Sequence, residues 1–395
     1  MMISHLKLVN WKNFRNVDVP LQQRMYIVGP NASGKSNLLD VFRFLHEIGK
    51  KGGSLHDAIE NRDNFSKIRC LAARRNPLIE IEVQFVDSFS DDQNQRQLPT
   101  WVYKLSIAQE ERGLHRPYVK YETVEHQGQI ILDRPTDLDK KDNELLYETH
   151  LQQSSQNVKF RQIAKFFEDI RYFHIIPQVI RHPQAFKGPN IPEDPFGRNF
   201  LELLAKTTKI TRDSRLKKIE AALKVVVPHL SHLSFVPDMY GIPHLEARHD
   251  HWRPDAGKQS EEQFSDGTIR LIGLLWSLLE NREAPLLIEE PELSLNSAII
   301  RQIPSLIYNI DKKKKVHGQV FISTHSPELL SDKSIGGESV LLLDPTKEGT
   351  EVKVAKDIEE IRLLLEGDMS VGEAVFPIVS PKTLTQRSLM EFLNA

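Results

Sequence analysis

Gly29-Pro30-Asn31-Ala32-Ser33-Gly34-Lys35-Ser36 fits the phosphate-loop pattern, glycine, four residues, then glycine-lysine-serine, without a mismatch. Its flanks fit as well. Met25-Tyr26-Ile27-Val28 is a short apolar run that reads as a strand, and residues 37–45 read as a helix. A loop between strand and helix aims backbone N–H groups and the positive end of a helix dipole at one point. Gly29 and Gly34 let the backbone turn tightly and approach phosphates closely. Lys35 is placed to reach the β- and γ-phosphates and the Ser36 hydroxyl to ligate Mg²⁺. Pro30, Asn31, Ala32, Ser33 and Asn37 complete the nucleotide-binding set. The stretch predicts a bound nucleoside triphosphate.

The rest of the chain bounds what surrounds that loop. At 395 residues it has room for two or three structural units. Hydrophobic residues are 39% and charged residues 27%, the balance of a soluble globular protein. A net charge of −2 gives no overall attraction to nucleic acid or an anionic membrane, so any such surface has to be a local patch. Cys70 is the single cysteine, which excludes an internal disulfide framework and a cysteine-based zinc hook and agrees with a reducing cytoplasm. The first eight residues alternate like a strand and lack the apolar core of a signal peptide. The longest apolar stretch, 271–279, is too short to span a bilayer. The expectation is a cytoplasmic protein with no membrane partner.

Residues 1–45 read as strand, turn, strand, phosphate loop and helix, and 49–66 as a loop or weak helix. Strand-like runs follow at 78–85 and 101–107, joined by a polar connection at 87–99. Runs at 118–124 and 129–132 suggest a hairpin turning at His126-Gln127-Gly128, and 134–157 carries helical hints only. A helix at 158–170 leads into an apolar strand at 172–176, a proline-rich loop at 182–196 and two amphipathic helices at 197–228. After a strand or two at 233–248 comes an α/β pattern: helix 268–280, strand 285–288, helix 297–310, strand 319–323 and strand 339–343. No repeat, low-complexity tract or sustained heptad is present, which argues against a long coiled coil. The expected organisation is a nucleotide-binding unit split between 1–85 and 236–345, an inserted β/helical region at 86–235 and a C-terminal extension at 346–395.

Three further stretches bear on the chemistry. Pro285-Leu286-Leu287-Ile288-Glu289-Glu290-Pro291-Glu292 is an apolar run ending in acids, the way a buried parallel strand delivers carboxylates to the edge of its sheet. Glu289 is assigned to Mg²⁺ and Glu290 to the attacking water. An ordinary strand ending in a solvated acidic turn is the competing account. Phe264-Ser265-Asp266-Gly267-Thr268 precedes an apolar helix that Ser265 can cap, with Gly267 permitting close backbone approach, so a second helix N-terminus is suited to phosphate. A plain capped core helix fits equally. Gln319-Val320-Phe321-Ile322-Ser323-Thr324-His325-Ser326-Pro327 is a buried-type strand ending in a histidine that can contact a γ-phosphate.

Taken in order, these elements resemble the ATP-binding-cassette type of ATPase, in its SMC/RecF/OLD-like branch. Asn10-Trp11-Lys12-Asn13-Phe14-Arg15-Asn16 resembles that branch's N-terminal hairpin, and residues 264–268 its signature loop. Glu289-Glu290-Pro291-Glu292-Leu293-Ser294-Leu295-Asn296 resembles its acidic strand and D-loop, and Ser323-Thr324-His325-Ser326-Pro327 its histidine switch. The resemblance covers about 1–85 and 235–345. It implies an α/β fold, an ABC-type ATPase head with a mixed β-sheet core and an inserted helical/β region. It also implies ATP and Mg²⁺ as cofactors and a homodimer or higher oligomer in which Ser265 of one subunit meets the γ-phosphate held by the loop of another. Lys35, Glu290 and His325 are then the catalytic set, and Ser36 and Glu289 the metal set. Gln178 matches a metal-sensing Q-loop residue, with a solvated loop glutamine as the alternative. Arg15 touches nucleotide or is a salt-bridged surface arginine. Two departures stand out: the first acid is Glu289 rather than Asp, and Asn296 stands where relatives often carry His. Many stand-alone ATPases of this kind are prokaryotic genome-defence components, so the implied role is the sensor or regulator of an antiphage system acting with a separately encoded nuclease or toxin. A RecF-like DNA-repair clamp and an ATP-gated scaffold with negligible turnover are the alternatives.

Two clusters stay outside that set. His244, His249, Asp250 and His251 lie close in sequence but match no zinc spacing. Residues 197–226 carry Arg198, Lys206, Lys209, Arg212, Arg215, Lys217, Lys218 and Lys224, a face for DNA or RNA backbone or a solvated amphipathic face.

Overall fold

A computed structural model of the chain describes residues 1–73, 78–89, 97–186, 196–250, 257–280 and 282–379. Parts of the expected connection at 87–99 and of the proline-rich loop at 182–196, His251, and the end of the C-terminal extension lie outside the described residues. The chain divides into two compact units. One comprises Met1–Ile170, Glu283–Pro285 and Gln319–Ala395, the other Arg171–Arg282 and Leu286–Gly318.

The first unit holds two sheets. One is antiparallel, in the order Phe14–Pro20, Met2–Trp11, Ile79–Val86, Trp101–Gln109, Pro117–His126, Gln129–Arg134. Strand Ile79–Val86 alternates buried apolar residues, Ile79, Ile81, Val83 and Phe85, with half-buried polar ones, because one of its faces packs on the core. In the second sheet the neighbouring strands run Gly349–Val354, Val340–Thr346, Arg24–Val28, Val320–Thr324, with Arg24–Val28 parallel to both of its neighbours. Met25 to Val28 and Val320 to Thr324 are continuously buried, the pattern of strands covered on both faces. Helix Lys35–Gly49 covers this sheet through Phe42, whose ring lies 5.0 Å from Phe321. Gln319 joins the two sheets from a fully buried position. Its Nε2 donates to the Ile3 carbonyl at 2.7 Å and its Oε1 accepts from the Ile3 amide at 2.6 Å, so one side chain imitates a strand partner.

Residues 134–157, where the sequence offered only helical hints, fold over the antiparallel sheet through a buried ion cluster. Arg134, with no exposed side-chain surface, donates to Glu122 at 3.1 Å and to Asp139 at 2.7 Å. His150 donates its backbone N–H to Glu122, and its half-buried ring is pushed by desolvation from 6.5 down to about 4. A histidine whose folded pKa is depressed gives stability that is present above about pH 6.5 and is lost as the pH falls towards 4. The melting temperature should therefore decline across that window, and His150→Gln should flatten the decline. A profile indifferent to that substitution would place the acid sensitivity elsewhere.

In the second unit, Arg171–Phe173 pairs in parallel with Leu286–Glu289, and Lys258–Ser260, Pro243–His249 and Leu230–Pro237 form an antiparallel sheet. Helix Lys209–Val226 packs on the last of these strands and on helix Asp266–Leu278. The expected strand at 172–176 stops at Phe173, because Pro177 opens the short helix Pro177–Arg181. The expected helix at 297–310 is two pieces, Ser297–Ile300 and Ile303–Lys312. Pro304 supplies no N–H to the helix before it and starts the next one instead.

Candidate nucleotide-binding site

In the first unit, register decides which loops come together. Val28 lies opposite Thr324 and Leu342 on parallel neighbours, so Gly29 and His325 leave adjacent strands at the same level. The loop is folded tightly. A Cβ on Gly29 would stand 2.6 Å from the Ser33 Oγ and 2.8 Å from the Leu343 carbonyl oxygen, and Ala32 and Gly34 take φ of 62° and 98°. Lys35, only 6% exposed, donates from Nζ to the carbonyls of Gly29 at 3.0 Å and Pro30 at 3.2 Å, and His325 Nδ1 lies 3.4 Å away. Gly34 is the N-cap of helix Lys35–Gly49 and supplies no capping side chain, so the first-turn amides face the loop without one. The Ser33 hydroxyl is buried with no hydrogen-bond partner among the described residues. An orphaned hydroxyl, uncapped helix amides and a buried ammonium are a donor set that a triphosphate would satisfy. Asn31, Ala32 and Ser36 are exposed around it.

The N-terminal hairpin grips this loop. Asn13 Nδ2 donates to the Ser33 carbonyl at 2.8 Å, Asn37 Nδ2 donates to Asn13 Oδ1 at 2.8 Å, and Trp11 Nε1 donates to the Asn37 carbonyl at 2.8 Å. Lys12 pairs with Asp40 at 2.5 Å, and the Arg62 guanidinium meets Asp40 at 2.8 Å and Glu47 at 2.7 Å. Desolvation opposes it, yet Arg62 and Lys12 hold the Asp40 carboxyl below its usual range. Arg15 is on the same hairpin but pairs with Glu348 on the surface. Asn13 and Trp11 were quoted within the hairpin motif and given no role there. The only cue to them in the sequence is a polar side chain at a tight two-residue turn, Trp11 pairing with Phe14.

In the second unit, Glu289 ends the strand Leu286–Glu289 and accepts a hydrogen bond from the Tyr172 hydroxyl, with His174 Nδ1 at 4.0 Å. Burial pushes His174 below the ordinary imidazole range. Glu290 follows with φ of 44°, a left-handed conformation that costs a non-glycine residue about 1–2 kcal/mol. Ser265 is exposed and caps helix Asp266–Leu278, accepting from the Thr268 amide at 3.2 Å. A Cβ on Gly267 would lie 2.5 Å from the Ser294 carbonyl oxygen, so this glycine makes room for the 293–295 segment. Gln178 donates to Asp266 at 3.1 Å, and Arg181 donates to Asp266 at 2.7 Å and to the Phe264 carbonyl at 2.5 Å. The hydrogen bond from Arg181 holds the Asp266 carboxyl below its usual range. Neither Tyr172 nor Arg181 stood out in the sequence, since a tyrosine in an apolar strand and a single arginine between two prolines carry no pattern of their own.

The remaining clusters are dispersed. His244 meets Glu261 at 2.7 Å, the His229 and His249 rings lie tilted with centroids 5.6 Å apart, and Asp250 accepts from Ser231 at 2.8 Å. Among the described residues no group of three or more His, Cys, Asp or Glu is arranged to hold a metal. Of the basic residues in 197–226, Arg212 stacks on Phe235 at 4.0 Å, and Arg215 lies over Trp276 at 5.0 Å while meeting Glu280 at 3.6 Å. Lys206, Lys209, Lys217 and Lys218 are exposed. No described helix is long and apolar enough to cross a membrane.

A family model described as "AAA domain, putative AbiEii toxin, Type IV TA system" matches residues 25–331, and another, "P-loop containing region of AAA domain", matches residues 3–45. The DNA replication and repair protein RecF of Clostridium kluyveri is 32% identical over 88 residues, which are 21% of this chain and 24% of that protein. The chain thus spans about a quarter of the length of the curated relative it matches. A crystal structure of an SMC head bound to the C-winged helix domain of ScpA is similar over 89% of this chain and 98% of that one, with a TM-score of 0.55 and 15% identity. The Smc head derived from Pyrococcus furiosus is similar over 93% of this chain and 99% of that one, with a TM-score of 0.50 and 14% identity. Both likenesses are of fold. The chain belongs to the AAA domain family whose model spans residues 25–331, with a P-loop region over residues 3–45, and it has the mixed α/β fold of an SMC head.

Proposed function

We propose that this chain binds Mg·ATP between two copies of itself and hydrolyses it. The observation that carries the reading is the meeting of the buried Lys35 ammonium, the uncapped first turn of its helix and His325 at one sheet edge. The Gly29–Ser36 amides and Lys35 hold the phosphates, and Ser36 and Glu289 serve the metal. When bound, Mg²⁺ neutralises charge on the β- and γ-phosphate oxygens. Glu290 orients a water in line with the γ-phosphate and takes its proton. His325 and the partner copy's signature serine stabilise the charge that develops. Exposure of Ser265 at a helix N-terminus supports a role across subunits, because a capped but open helix end can meet an anion from another chain.

The trans arrangement is tested by complementation. Lys35→Ala and Ser265→Arg should each be inactive alone. An equal mixture should regain activity, because half of the dimers then carry one intact composite site, about a quarter of the wild-type sites. A mixture as silent as its parts would remove the shared site.

The biological role we infer is a regulatory ATPase of a prokaryotic antiphage system, resident in the cytoplasm and acting with a separately encoded nuclease or toxin. The toxin–antitoxin wording of the matching family model supports that direction. A RecF-like clamp on DNA is the second reading, supported by the 88-residue similarity and by the exposed lysines of residues 206–218. Turnover stimulated by DNA, and weakened steeply by salt, would favour the clamp over the regulator.

A further inference from the structure

We propose that Asn13 is the positioning residue of the phosphate loop, and that the C-terminal hairpin Val340–Thr346 with Gly349–Val354 is tied to the nucleotide through it. The proposal rests on the reading of Gly29 to Ser36 as the nucleotide loop.

The Asn13 side chain is a three-way joint. Its Nδ2 donates to the Ser33 carbonyl at 2.8 Å and to Thr350 Oγ1 at 2.8 Å, while its Oδ1 accepts from Asn37 Nδ2 at 2.8 Å. Its own carbonyl accepts from the Thr350 amide at 2.8 Å. Two glycines make room for it. A Cβ on Gly34 would stand 2.2 Å from Asn13 Nδ2, and a Cβ on Gly349 would stand 2.6 Å from the Asn13 carbonyl oxygen. Gly34 is therefore required twice, by its φ of 98° and by the amide wedged against it.

The mechanical consequence follows from peptide planarity. In a trans peptide the carbonyl of Ser33 and the N–H of Gly34 point in opposite directions. By holding the Ser33 carbonyl on the hairpin side, Asn13 turns the Gly34 N–H the other way, towards the concave side of the loop where an anion would lie. Ala32, with φ of 62°, sits in a conformation that persists only where its surroundings over-determine it. The joint supplies that constraint. Aspartate would not serve, since it has no N–H to offer the Ser33 carbonyl and would add negative charge beside a phosphate site.

The test uses the full chain. Affinity for a fluorescent ATP analogue with Mg²⁺ is measured for Asn13→Ala, Asn13→Asp, Thr350→Val and Thr350→Ser, together with the turnover number at saturating ATP. Amide exchange of residues 30–36 is followed without nucleotide. Asn13→Ala removes the hydrogen bonds of one side chain and should weaken ATP binding about tenfold, with Asn13→Asp weaker still. The loss should fall on affinity, leaving turnover at saturation within about threefold, and the loop amides should exchange faster than they do in wild type. Thr350→Val should give a smaller loss, about threefold, which Thr350→Ser restores. That pair carries the test by itself if the Asn13 variants do not fold. ATP binding within about twofold of wild type in both Asn13 variants, with unchanged loop exchange, would overturn the proposal. Failure of wild type to bind ATP would instead remove the nucleotide reading, and loop exchange in Asn13→Ala would still judge the positioning role.

Discussion

Glu290→Gln is expected to lower ATP turnover by about 10²–10⁴-fold while ATP binding is retained. The substitution keeps the shape of the side chain and removes its charge and its capacity to take a proton. Glu290 stands one residue past the strand Leu286–Glu289, in a turn closed by the Leu293 amide on the Glu290 carbonyl at 3.2 Å. Its φ of 44° is a strained choice for a residue with a Cβ, and such outliers persist where the surrounding structure holds them, often at functional sites. Arg270, half-buried and pushed below its ordinary range by desolvation, has Asp266, Glu290 and Glu292 as its charged neighbours. Glutamine at 290 would leave that guanidinium with less compensating charge, so the fold of the variant should be checked by melting before its kinetics are read. Turnover within about threefold of wild type in a folded variant would mean that another group activates the water.

The parts of this site that are contiguous in sequence are the parts that sequence reveals. Strand, loop and helix around Lys35 are joined by the backbone, so their mutual geometry follows from a local pattern. The nearness of His325 was also readable, because parallel strands of one sheet deliver the residues after them to a common edge. The joint at Asn13 was not. Its partners lie 20, 24 and 337 positions away, and an asparagine in a turn is ordinary. Arg15 illustrates the converse: its motif was legible, yet only coordinates reveal Glu348 as its partner. The basic stretch 197–226 shows how burial divides like residues. Arg212 and Arg215 lie over Phe235 and Trp276, while the neighbouring lysines reach water. Periodicity placed both helices there but could not assign each cation to a face, since arginine stems pack as readily as they extend.

Arg134→Ala is expected to destabilise the protein by about 3–5 kcal/mol, because it leaves two carboxylates inside the fold without their cation. The guanidinium also donates to the carbonyls of Leu145 and Glu148, each at 2.8 Å, so four groups depend on it. Burial pushes Glu122 above the usual carboxylate range, against the backbone N–H groups of His150 and Leu151 and the charge of Arg134. Asp139 is held down at about 2 despite its own desolvation, by Arg134 and by Thr136. Removing the cation removes that support from both acids at once. Protonation of Glu122 relieves part of the cost, so the variant should recover stability as the pH is lowered towards 5, opposite in sign to the His150 effect. Glu122→Gln should cost less, since Arg134 keeps Asp139 as its counter-ion and no uncompensated charge is left behind, while the single amide oxygen keeps one of the two backbone N–H groups that the separate carboxylate oxygens accept from. Urea unfolding of both variants at two pH values separates these cases. Equal losses for Arg134→Ala and Glu122→Gln at neutral pH would show that packing, not uncompensated charge, sets the stability of this cluster.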